Sequence, residues 1–123
     1  MAINHDNEIL ASEARTATTN SETKLSNQTR GGIFSISITS AGASGTITPK
    51  IQGKVGDNYY DILTATEIST ATGAITKQYK VYPGIAAVAN NASSDIMPEK
   101  FRVQVEHSAT TSWTYSVNAN MVE

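Results

Sequence analysis

The sequence predicts an all-β fold, an antiparallel β-sandwich of jelly-roll or immunoglobulin-like type with a flexible N-terminal arm. Three observations predict it. Apolar and polar residues alternate over short runs, which places one set of side chains on a core face and the other in solvent. Gly, Pro and Asn-rich punctuation closes each run. No segment has a convincing helical period with caps. About seven or eight short strands with polar turns fit two packed sheets. The Cys…Trp…Cys signature of antibody domains is absent, since the chain has no cysteine, and the pattern leaves both connectivities open.

Residues 1–14 (MAINHDNEILASEA) read as a polar arm with one apolar cluster, Ile3, Ile9 and Leu10. Residues 15–123 read as the single sandwich domain. Arg15 to Leu25 is Thr-rich and suits an edge strand. Asn27 to Gly32 reads as a hinge, because Gly31 and Gly32 lack both side-chain packing and backbone restriction. The clear β region starts at Ile33, where Phe34, Ile36 and Ile38 oppose Ser35, Ser37 and Thr39. After the AGASG turn, Ile47, Pro49, Ile51 and Gly53 share a face. Pro49 cannot donate to a ladder, which predicts an edge or a break there. Gly56-Asp57-Asn58 turns the chain into the strand that begins at Tyr59. Thr64 to Gly73 reads as a loop or short helix, and Ala74 to Tyr82 alternates again until Pro83-Gly84 ends it. Ile85 to Asp95 reads as a connection between sheets. Phe101, Val103 and Val105 then oppose Arg102, Gln104 and Glu106. Trp113, Tyr115, Val117 and Ala119 line one face of the last strand.

The chain of 123 residues has the size of one domain. Its net charge of −2 provides no electrostatic footprint for nucleic acid or an anionic membrane. Without cysteine, disulfides and thiolate metal sites are excluded. The longest apolar run, Ile85 to Ala89, is too short to span a bilayer, and no apolar leader precedes the domain. Production in a cytoplasm is the expectation.

A search for chemistry returns little. The two histidines are His5 and His107. His107 adjoins Ser108, and Asp95 is a conceivable third member, but no nucleophile elbow exists and a structural His107 is the simpler reading. Asp57, Asp61 and Glu67 read as turn and strand-end acids rather than a glycosidase pair. No metal-ligand or phosphate-loop spacing is present, so no catalytic, metal or cofactor residue is assigned and the chain is read as a non-enzyme. Tyr59, Tyr60, Tyr79, Tyr82, Tyr115 and Trp113 suit a core, a sugar-stacking platform or a protein interface. Adjacent Tyr59 and Tyr60 must face opposite sides, which brings one to a rim.

The segments SGTITPKIQGK, NYYDILTATEI, YKVYPGIAAVANNASSDIMPEKFRVQVEHS and WTYSVNANMV together resemble a family of small virion structural proteins of tailed bacteriophages. The resemblance covers residues 15–123 and lies in the order of the motifs. It implies a capsid decoration, or cement, protein located on the virion. Such a protein would bind the lattice of the major capsid protein and self-associate, with a trimer favoured. It carries over no catalytic residue. Ile3, Ile9, Leu10, Tyr59 and Tyr60 are the expected interface residues. A tail or neck component is the structural alternative. A carbohydrate-binding module using Tyr59 or Tyr60 with Trp113 is the alternative of another class.

Overall fold

The computed structural model describes residues 5–123, with nothing assigned to the side chain of Thr72. Its strands are β1 (His5–Arg15), β2 (Thr19–Asn20), β3 (Lys24–Leu25), β4 (Gly31–Ser40), β5 (Thr46–Val55) and β6 (Asn58–Thr64). They continue with β7 (Ile68–Ser69), β8 (Ile75–Val81), β9 (Ala92–Ser93), β10 (Lys100–His107) and β11 (Trp113–Val122). One sheet runs β1-β11-β4-β8-β9. The other runs β2-β10-β5-β6, with β3 beside β10 and β7 beside β5. All pairings between strands are antiparallel except β8 with β9. The two sheets pack face to face around one core, so the fold is the all-β sandwich that the alternation predicts.

The core is built from the predicted inward rows. Phe34, Ile36 and Ile38 of β4 and Trp113, Tyr115, Val117, Ala119 and Met121 of β11 come from the first sheet. Ile47 and Ile51 of β5 and Phe101, Val103 and Val105 of β10 come from the second. Phe34 meets Phe101 edge to face across the sheets, with ring centroids 5.9 Å apart.

Pro49 lies on an interior strand, at the place where the β5 partner changes from β6 to β7. The predicted break is therefore there, and the Pro49 carbonyl still accepts the Ala65 N–H at 2.9 Å. The segment expected as a loop or short helix contains β7 and one 3-10 turn, Thr70–Thr72. The connection after Pro83 contains β9 before it crosses to β10.

Two expectations are corrected. Within the stretch read as a flexible arm, residues 5–14 belong to β1, an edge strand paired with β11 from His5↔Met121 to Arg15↔Trp113. Ile9 and Leu10 are buried in the core. The reason is a pair of register shifts, between Glu8 and Leu10 and between Leu10 and Glu13. A bulge of this kind lets consecutive residues face the same side. Ile3 lies outside the described residues. The second correction concerns Gly31 and Gly32, which open β4 and are buried. A Cβ on Gly31 would come within 2.9 Å of the Tyr82 backbone, and one on Gly32 within 3.0 Å of Met121 Sδ. These glycines permit close packing and do not form a hinge.

Candidate interaction surface

The outward residues of the second sheet form cross-strand rows. At the end bearing the Gly56-Asp57 turn, Tyr59, Lys54, Lys100 and Leu25 stand in register across β6, β5, β10 and β3. The next row is Asp61, Gln52 and Arg102. Arg102 Nε donates to Gln52 Oε1 at 2.8 Å, and Gln52 Nε2 donates to Asp61 Oδ1 at 2.8 Å. The Arg102 guanidinium lies 3.7 Å from the Tyr59 ring centroid, and Lys54 Nζ lies 5.5 Å from it. Such stacking is favourable because the ring face is electron-rich. The Tyr59 hydroxyl hydrogen-bonds Thr23, so the ring is held at both its face and its tip. Farther along the sheet, Gln104 Nε2 donates to Asn20 Oδ1 at 2.8 Å, and Lys50 pairs with Glu106 at 3.6 Å. Gln52 is only 8% exposed, which makes this network part of the framework and not a set of waving surface chains.

Tyr60 faces the other way, as adjacent strand residues must. It closes over Gly53 together with Pro98: a Cβ on Gly53 would sit 2.7 Å from both. Tyr60 remains 42% exposed at the rim. The outer face thus brings together Gln52 and Lys54 of β5, Tyr59 and Asp61 of β6 and Arg102 of β10, while Tyr60 and Pro98 pack over Gly53 on the opposite face. Tyr59 and Tyr60 were expected at an interface, whereas Gln52, Lys54, Asp61 and Arg102 were not singled out. Their outward alternation was visible in the sequence, but their mutual pairing depends on the register between strands.

At the opposite end, Arg15 is buried beneath the sheet edge. Its Nη1 donates to the Tyr115 carbonyl at 2.6 Å and to the Glu13 carbonyl at 3.3 Å, and its Nη2 donates to the Ala11 carbonyl at 2.5 Å. The guanidinium also lies 4.7 Å from the Tyr115 ring centroid. The Tyr115 hydroxyl is 2.8 Å from His107 Nε2, and His107 Nδ1 is buried without a hydrogen-bond partner. Burial, and secondarily the Arg15 charge, hold the His107 pKa below its ordinary value. Burial raises the Tyr115 pKa, against smaller opposing effects from a Thr19 hydrogen bond and Arg15.

This cluster is not a hydrolytic triad. Ser108 Oγ accepts the Thr46 N–H at 2.7 Å, and Asp95 Oδ1 accepts the Ile96 N–H at 2.8 Å. Asp95 precedes the start of β10 while His107 ends it, and that strand is about 23 Å long. Asp57, Asp61 and Glu67 are likewise dispersed: a turn, the Gln52 network, and a flank cavity of about 240 Å³ that Lys77 and Tyr79 also line. Burial raises the Tyr79 pKa to about 12. Among the described residues no group of three or more His, Asp or Glu could hold a metal ion. Nor is any helix among the described residues long and apolar enough to cross a membrane. Trp113 is 1% exposed and cannot stack on an external sugar.

No protein-family model matches the chain, and no curated protein matches it. A solved structure with a similar trace is the crystal structure of Yersinia pseudotuberculosis-derived mitogen, at 14% identity and a TM-score of 0.40. The alignment covers 98% of this chain and 85% of that one. A likeness at that level assigns no function.

Proposed function

We propose that this chain is a bacteriophage virion structural protein, a capsid decoration protein that binds the major capsid protein lattice through the Tyr59–Arg102 face. The observation that carries this reading is the convergence just described. The motifs that resemble the tailed-phage family lie far apart in the sequence, yet Gln52, Lys54, Tyr59, Asp61 and Arg102 meet on the outer face at one end of one sheet, with Tyr60 at the rim behind them. Rigid aromatic and Arg side chains held by neighbours suit a protein interface, since little entropy is lost when a partner covers them. A repeated lattice also favours self-association, because each further contact becomes intramolecular. A homo-oligomer, with a trimer favoured, is part of the proposal, as is a role without catalysis.

The contact is assigned to Tyr59, Tyr60 and their neighbours, and no longer to Ile9 and Leu10, whose side chains the core occupies. Electron microscopy of particles from a phage that encodes this chain tests the reading. Density of this size on the head surface supports it. Density on the tail or neck, or none on the particle, overturns it. Co-sedimentation with heads lacking the protein should be lost in Tyr59→Ala and Arg102→Ala chains that keep their fold, and retention by both would remove the face from the proposal.

A further inference from the structure

The outer face of the first sheet is chemically unlike the face just described. Four strands present two polar rows there. Gln78, Ser35, Asn118 and Glu8 are mutual neighbours in register across β8, β4, β11 and β1. Lys80, Ile33, Asn120 and Asp6 form the adjoining row. A groove of about 460 Å³ lies over these rows, lined by all of these residues but Lys80. Asn120 Nδ2 donates to Asp6 Oδ1 at 2.5 Å, which fixes one end of it.

On the second sheet, carboxamides and charges satisfy one another. Here only Asn120 and Asp6 do so: the side chains of Gln78, Ser35, Asn118 and Glu8 make no hydrogen bond among the described residues. They form a row of donors and acceptors turned to solvent, beside one apolar side chain, Ile33, that is 38% exposed. Carboxamides and carboxylates each offer two polar atoms in a plane, a spacing that matches vicinal hydroxyl groups. Ile33 offers the apolar contact that the C–H face of a sugar ring requires. The middle of the groove, Ser35, Asn118 and Gln78, is uncharged, which disfavours a strongly charged ligand.

The geometry points to a binding site for a neutral, extended oligosaccharide laid across the strands of this sheet. Neighbouring strands lie about 4.8 Å apart, so the row from Gln78 to Glu8 spans about 14 Å. The strand spacing is close to the length of one pyranose unit in an extended β-linked chain. Successive sugar units can therefore each meet a polar side chain on successive strands. A curved α-linked chain loses that register after one or two units. Four net hydrogen bonds of ordinary strength correspond to a Kd on the order of 1 mM. This site is separate from the Tyr59–Arg102 face, and the proposal does not depend on a virion role.

The test is a titration of the isotopically labelled chain with the β-1,4-linked glucose tetramer, followed by amide NMR shifts. The α-1,4-linked glucose tetramer serves as comparator. Saturable shifts clustered on Ser35, Gln78, Asn118 and Asn120 are expected, with the α-linked chain binding at least about tenfold more weakly. Asn118→Ala and Gln78→Ala, both at exposed positions, should each weaken binding by about fivefold, while Tyr59→Ala should leave it unchanged. No saturable shift well above the expected Kd overturns the proposal. So do shifts centred on other residues, or equal binding of the two tetramers.

Discussion

Replacing Arg15 with Met probes whether β1 is part of the fold. The substitution keeps most of the apolar stem and removes the guanidinium. Of the three carbonyls it serves, those of Ala11 and Glu13 belong to exposed residues of an edge strand and can turn to water. The Tyr115 carbonyl is buried and cannot. Losing one buried charge-assisted bond costs about 1.5–3 kcal/mol, and losing the desolvated contact with the Tyr115 ring costs about 1 kcal/mol more. Removing a charge from a buried site returns part of its desolvation penalty. The net expectation is a loss of about 2 kcal/mol. An unfolding entropy of about 2.1 cal/mol/K per residue converts this, for a chain of this length, to a Tm lower by about 8 °C. Thermal unfolding followed by circular dichroism measures the shift and urea unfolding the free energy, and hydrogen exchange should show the β1 amides losing protection first. Glu13→Gln is the internal comparison. Its carboxylate lies 3.6 Å from Arg15 Nε but is 67% exposed, so the change should cost under about 0.5 kcal/mol. Equal midpoints for the two variants would refute the assignment of Arg15 as the clamp of this strand.

Three further outcomes are expected. His107 has a folded pKa below its ordinary 6.5, so the unfolded chain binds its proton first on acidification. Its contribution to stability is therefore intact above about pH 6.5 and declines as pH falls from there through the lowered folded value. The Tm difference between the parent chain and His107→Asn should shrink over that range, and a constant difference would contradict the linkage. Gly53→Ala should cost about 1–3 kcal/mol by overpacking, because Pro98 is rigid and only Tyr60 can yield; an unchanged urea midpoint would contradict that packing. Deleting residues 5–14 should remove the cooperative thermal transition, since it takes Ile9 and Leu10 from the core, at about 2 kcal/mol each, and bares the β11 edge. A truncated chain with parental Tm would restore the arm reading.

The inward rows of β4, β10 and β11 were legible in the sequence because each keeps strict alternation, and one residue out of step would have hidden them. That is what happened in β1. Its bulge places Ile9 and Leu10 side by side in the core, so the local pattern resembles neither strand nor helix. The Gly31-Gly32 pair misled for a related reason: composition shows conformational freedom, whereas the close approach of Tyr82 and Met121 is a property of the packed sheets. At the candidate surface, the opposed directions of Tyr59 and Tyr60 followed from strand geometry alone. The stacking of Arg102 on Tyr59 required β6, β5 and β10 to be adjacent in space. Residues more than forty positions apart in the chain leave no local trace of such a contact.

The pairing of β1 with β11 sets how the molecule responds to force. His5 stands opposite Met121, so both ends of the described chain leave from the same end of neighbouring antiparallel strands. Tension applied between those ends would part the ladder one hydrogen bond at a time, as a zip opens, instead of shearing many bonds at once. An attachment that relied on the two chain ends would thus be mechanically soft. Strands loaded across the broad faces of the sandwich share the strain over the whole core, and any assembly that must resist pressure gains by gripping this protein there.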